Sequence, residues 1–220
     1  MKVLIFGATG MVGQGVLREC LLSPDVEQVV TIGRSATGVQ NPKLREIVHP
    51  NLADYSTVES KLAGFDACFF CLGVSSNGMK EADYTRITYD FTMAAAEILS
   101  SLNSRMTFIY VSGASTDSSE HGRAMWARVK GRTENALLRL PFQTYMFRPG
   151  FIEPLDGIRS KTRAYAIMYT LTKPLLPLLR LVLSSQMVTT RDIGQAMLAV
   201  ARQGYPRPIL EIADIKTIAQ

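Results

Sequence analysis

The stretch Val3-Leu4-Ile5-Phe6-Gly7-Ala8-Thr9-Gly10-Met11-Val12-Gly13 decides the fold. Its apolar run reads as a buried strand. From Met11 to Leu22, Val12, Val16, Leu17 and Cys20 recur at helical spacing. The three glycines between these periods have separate tasks. Gly7 permits a tight turn, Gly10 lets backbone approach an anion, and Gly13 lets the helix pack against the strand. The helix start then presents unpaired N–H groups and a positive dipole end. A turn so placed implies a dinucleotide pyrophosphate held over Gly7, Thr9, Gly10, Met11, Val12 and Gly13. The spacing is GxxGxxG rather than GxGxxG, and it is the strand–turn–helix context that gives it weight.

Outward from this turn, strand and helix patterns alternate. Val29–Ile32, Glu46–Val48, Ala67–Leu72, Thr107–Val111 and Thr144–Phe147 read as strands. Glu81–Leu102 and Ala124–Leu140 read as helices, the second stopped by Pro141. The order predicts an α/β fold: a Rossmann-type, doubly wound, mostly parallel sheet with helices on both faces and right-handed crossovers. Residues 1–150 form the dinucleotide-binding core in this reading. Residues 151–220 form a small C-terminal cap on the substrate side, part of the same domain. Within the cap, Val188–Gln203 is an amphipathic helix with Thr189 or Thr190 as N-cap, and Pro208–Ile212 is an edge strand.

The cofactor is selected about 20 residues beyond the glycines. An NAD site usually carries Asp or Glu there, for the ribose 2′-hydroxyl. This chain reads Thr31-Ile32-Gly33-Arg34-Ser35. Arg34 offers a planar donor fork suited to a 2′-phosphate, so NADP(H) is expected, with NAD(H) as the alternative.

Composition is that of a globular protein, 47% hydrophobic and 20% charged. The net charge of +5 suits an anionic cofactor, and no Lys/Arg-rich run marks a nucleic-acid partner. Cys20, Cys68 and Cys71 sit in apolar segments. Their odd number, with no secretory signal, suggests a reducing, cytoplasmic setting. Cys68 and Cys71 have CxxC spacing, but their apolar flanks read as strand positions rather than a redox pair. No cluster has metal-ligand spacing, so no metal is expected.

With these residues in view, the chain resembles the atypical or extended short-chain dehydrogenase/reductases. It is similar to the epimerase/dehydratase-like proteins and, among them, to the Tat-interacting oxidoreductase subgroup. The resemblance is carried by GATGMVG at 7–13, Asn51-Leu52-Ala53-Asp54, Cys71-Leu72-Gly73, Val111-Ser112-Gly113-Ala114, Lys130 and Arg148-Pro149-Gly150. It implies that Asp54 lies near the adenine and that Leu72 and Gly73 line the adenosine side. It implies that Ser112 hydrogen-bonds a substrate oxygen and that Lys130 holds the nicotinamide ribose. Pro149, Gly150 and Phe151 would border the nicotinamide.

One position departs from the family pattern. Where Tyr-x-x-x-Lys is the rule, this chain reads Trp126-Ala127-Arg128-Val129-Lys130. An indole N–H donates a hydrogen bond but neither accepts one nor titrates usefully. Trp126 can shape a pocket; it cannot carry the proton. Three readings stay open. Another group transfers the proton, with Ser112, Ser115, His121, Tyr84, Tyr89 and Tyr165 as surrogates. Hydride goes to an activated alkene that needs no strong acid. Or the chain binds cofactor without turnover, as a regulatory or scaffold protein. The leading reading is an NADP(H)-dependent oxidoreductase acting on a small carbonyl or alkene. His49, before Pro50, reads as structural. Ala164–Leu183 is apolar but broken by Lys173-Pro174, Pro177 and Arg180, which suits packing, an apolar substrate or peripheral lipid contact rather than a membrane span.

Overall fold

A computed structural model describes residues 1–158 and 186–220. Strands β1 (Lys2–Phe6), β2 (Gln28–Gly33), β3 (Leu44–Val48), β4 (Ala67–Phe70), β5 (Thr107–Val111), β6 (Gln143–Phe147) and β9 (Ile209–Leu210) form one sheet in the order β3-β2-β1-β4-β5-β6-β9. Every pairing is parallel. A parallel sheet needs crossovers. They are helix α1 (Met11–Leu22), a 3-10 turn (Ser56–Lys61), α2 (Glu81–Thr85) running through a π turn (Arg86–Asp90) into α3 (Phe91–Leu102), and α4 (Met125–Leu137). A second, two-stranded parallel sheet joins β7 (Phe151–Glu153) to β8 (Met187–Thr189), and helices α5 (Thr190–Gln203) and α6 (Ile212–Ile218) flank β9.

Alternation along the strands divides the core in two. Val3, Ile5, Phe69, Ile109 and Phe147 face one layer with Val16 and Cys20 of α1 and Ile193 and Met197 of α5. Leu4, Phe6, Cys68, Phe70, Phe108 and Tyr110 face the other, with Ala95 and Leu99 of α3 and Leu137 of α4. Phe6, Phe70 and Phe108 stack across neighbouring strands, with ring centroids 5.1 and 5.8 Å apart. Cys68 belongs to one layer, whereas Cys71 packs against the other. The CxxC spacing therefore spans the sheet and makes no redox pair.

The expected fold is present, with local differences. The long helix over 81–102 contains a π turn, a feature that hydrophobic period does not reveal. The strand expected over 67–72 ends at Phe70, and Cys71 and Leu72 turn into the loop beyond. The 3-10 turn, the β7–β8 sheet and α6 are additions. Residues 187–220 do not stand off as a cap. β9 extends the main sheet, and α5 packs tightly on α1: a Cβ at Gly15 would lie 2.6 Å from Thr190 Cβ, and one at Gly194 2.7 Å from Glu19 Cγ. That packing is long-range, so a local reading places these residues by chain order alone. Thr189 does cap α5, in a capping box with Asp192. Tyr165 and the apolar segment 164–183 lie outside the described residues.

Candidate functional site

β1 and β4 are spatial neighbours whose crossovers run to opposite faces, and ligands bind at such a switch point beyond the carboxyl ends of the strands. A groove of about 810 Å³ opens there. Its floor is built by the first turn of the sheet. Gly7 has φ +76°, and a Cβ on it would lie 2.6 Å from Leu72 N. Gly13 would collide with Gly7 O at 2.2 Å, so it sits behind the turn and sets the approach of α1 to β1 rather than lining the groove. Gly10 is the N-cap of α1 with no side chain to cap it, and the first turn carries no acid. Gly7, Thr9, Gly10, Met11 and Val12 all face the groove. An uncapped helix start, with no carboxylate to repel an anion and glycine at the N-cap, fits a pyrophosphate.

One end of the groove is bounded by Arg34, Leu52, Leu72 and Gly73, with Ile87 and Phe91 from the helical wall. An adjoining recess of about 480 Å³ is shared by Arg34, Leu52, Ala53, Arg86 and Asp90. Asp54 does not line either space; Leu52 and Ala53 stand where it was expected. Its carboxylate accepts a hydrogen bond from Ser56 N at 2.9 Å, which holds its carboxyl below the usual range. Its carbonyl meets His49 Nε2 at 2.7 Å, and the His49 ring lies 5.4 Å from that of Tyr55. Both residues shape the loop.

At the other end the groove is closed by Val111, Ser112, Gly113, Trp126, Lys130, Pro149, Gly150 and Phe151. Trp126 and Lys130 are one turn apart on α4 and share a face. Lys130 Nζ donates to the carbonyl oxygen of Ser112. Burial pulls its ammonium down from 10.5 to about 8, against the opposing pull of Glu134.

The geometry redirects Ser112. Its side chain is buried, and Oγ donates to Glu134 Oε1 at 2.5 Å. A hydroxyl has one hydrogen. Committed to Glu134, it is not available to a substrate oxygen, contrary to the expectation from the resemblance. Among the surrogates, Tyr84 borders the groove with 2% of its surface exposed. Ser115, His121 and Tyr89 do not line it. Tyr89 lies beneath the Arg132 guanidinium at 4.4 Å.

Two residues escaped the sequence reading. Glu134 is wholly buried and bridges Ser112 to Arg148, whose Nε and Nη2 both reach it. Arg148 also donates to Ser118 Oγ at 2.6 Å and Glu211 Oε1 at 3.2 Å. The available signals were the four-residue step from Lys130 and an arginine ending an apolar strand, which needs a buried acid. Gly131 was the other: a Cβ there would lie 1.8 Å from Asp117 O, so glycine alone lets the 115–124 loop lie on α4.

Comparisons agree with this geometry. The protein is similar to FMP52-2, mitochondrial, of Scheffersomyces stipitis, at 28% identity over 163 residues, 73% of this chain and 69% of that one. A similar relation holds to FMP52, mitochondrial, of Debaryomyces hansenii, at 28% over 174 residues, 76% and 72% of the two chains. These names overturn the cytoplasmic expectation. Compartment is set by an address that composition and cysteine count do not carry. Among solved structures, the Bordetella bronchiseptica enzyme WbmF in complex with NAD+ matches with TM-score 0.71 at 16% identity, over 98% of this chain and 76% of that one. A short-chain dehydrogenase/reductase family oxidoreductase from Burkholderia thailandensis matches with TM-score 0.70 at 14% identity, over 98% and 92%. The family model described as NAD dependent epimerase/dehydratase matches residues 3–124, more than half of the chain. The chain therefore belongs to the NAD-dependent epimerase/dehydratase family.

Proposed function

We propose that this protein is an NADP(H)-dependent oxidoreductase that acts on a small carbonyl or alkene. The observation that carries the reading is the continuity of one groove from Arg34, past the uncapped start of α1, to Lys130. A bound nicotinamide would supply or accept the hydride. Met11 and Val12 would hold the pyrophosphate with backbone N–H groups, and Gly7 and Gly10 would let it come close, the Gly10 N–H donating to Gly7 O at 2.9 Å. Arg34 would pair with the 2′-phosphate, and Lys130 would hold the ribose. Pro149 and Phe151 would shield the nicotinamide end from water. Trp126 would form an apolar wall where the family has a hydroxyl. The names of the fungal relatives support a mitochondrial setting.

Calorimetric titration with NADPH and NADH tests this. Much tighter NADPH binding is expected, and equal affinities would remove Arg34 as the phosphate reader. A second reading, a cofactor-binding regulator without turnover, is favoured by Trp126 itself. Trp126→Tyr separates the two: a sharp rise in NADPH consumption would identify the wild-type site as one that lacks its acid.

A further inference from the structure

With Trp126 unable to carry a proton and the Ser112 hydroxyl committed to Glu134, the groove needs another proton source. Among the described residues that line it, Arg34, Cys71, Tyr84 and Lys130 are titratable. Arg34 lies at the adenosine end and does not deprotonate. Burial pushes the Cys71 thiol up to about 12. Tyr84 is almost enclosed. Lys130 is different in position. Gly113 has no side chain, and the point where its Cβ would stand lies 3.9 Å from both Lys130 Nζ and Trp126 Cζ3. A side chain there would touch both, so the glycine leaves the amine and the indole edge uncovered in the groove wall beside the nicotinamide end.

Building on the oxidoreductase reading, we propose that Lys130 Nζ is the group that exchanges the proton with the substrate oxygen, from the groove wall that Gly113 leaves uncovered. In the reducing direction, a bound reduced nicotinamide would supply a hydride, with both electrons, to the carbonyl carbon and would be left oxidised, while the C–O π pair moves to oxygen. That oxygen takes a proton as an Nζ–H bond breaks, and the neutral amine recovers a proton from water. The groups around Nζ suit the task. The Ser112 carbonyl fixes it from β5, and Glu134 faces it from one turn along α4. The β6 side contributes Arg148, whose charge is tied to Glu134. The β4 side contributes the neutral Cys71 thiol, and α2 contributes Tyr84. Desolvation brings the ammonium to about 8, near working pH, where proton transfer is efficient.

The first test uses the cofactor-free protein. Trinitrobenzenesulfonate reacts with neutral amines, and modification of Lys130 is followed by peptide mass spectrometry against pH. A midpoint near 8 is expected for Lys130, whereas surface lysines have midpoints at about 10. A Lys130 midpoint in the surface range overturns the proposal whatever the cofactor does. The second test follows NADPH consumption with diacetyl and benzaldehyde. Lys130→Arg keeps a cation for the ribose but cannot release a proton. It is expected to lower kcat roughly a hundredfold or more, while NADPH affinity changes less than about threefold. The wild-type rate of reduction is expected to fall above pH about 8, and Gly113→Val, which sets a side chain against the amine, to lower kcat likewise. A Lys130→Arg variant with near-normal kcat makes Lys130 a ribose-positioning residue and overturns the proposal. A wild type that binds NADPH and consumes none sinks the oxidoreductase reading on which the proposal rests, while the amine titration still judges Lys130 by itself. Failure to bind NADPH at all sinks the oxidoreductase reading instead, a separate outcome.

Discussion

At the scale of single residues, function and stability divide between Arg34 and Glu134. Arg34 is exposed at the end of β2 and supports nothing in the core. Arg34→Ala is expected to weaken NADPH binding roughly ten- to hundredfold, the loss of a charge-assisted contact, with little effect on NADH. Calorimetry with both cofactors checks it. Glu134 is the opposite case. It is fully buried against Arg148, and removing it leaves that charge, among the described residues, only the half-exposed Glu211 at 3.2 Å and takes a buried acceptor from Ser112. Glu134→Ala is expected to destabilise the fold by about 3–5 kcal/mol in urea unfolding. Gly131→Ala forces a methyl against Asp117 O and is expected to lose about 1–3 kcal/mol by the same measurement.

At the scale of elements, the groove's walls come from helix ends and one irregular turn. The π turn at Arg86–Asp90 lies between Tyr84 and Phe91, both of which reach the groove. Such turns occur often at functional sites. α5 starts with a full capping box, Thr189 Oγ1 accepting from Asp192 N at 3.0 Å. Thr189→Ala is expected to cost about 1 kcal/mol. NADPH affinity should be unchanged, because α5 backs the sheet and does not line the groove; thermal unfolding and calorimetry together check both halves. The start of α1 has no such cap. One helix start is closed by side chains and the other left open to an anion.

For the whole molecule, binding and folding are linked through Lys130. Its folded pKa, about 8, lies below the unfolded value of about 10.4. Burying the ammonium therefore opposes folding below pH about 8, and the opposition is relieved as pH rises from there toward about 10.4. Relative to Lys130→Met, the wild type should gain stability across that window in urea titrations at several pH values. Among the described residues, no helix is long and apolar enough to cross a membrane.

Local pattern in the chain determined the strand–turn–helix at residues 2–22, the order of strands and helices, the glycine-rich turn and the four-residue step from Trp126 to Lys130. Each is a matter of residue type at short spacing, and period and steric need are legible there. Tertiary structure alone decided the rest. Only packing brings β9 to β6 and α5 onto α1. Only packing ties Ser112 to Glu134 across 22 residues of chain, and Glu134 to Arg148 across 14. Asp54 moved out of the expected site for the same reason: its loop is set by His49 and Ser56, which a motif does not describe. A hydrogen-bond network between separate elements has no period in the sequence. It exists only once the sheet has brought those elements together.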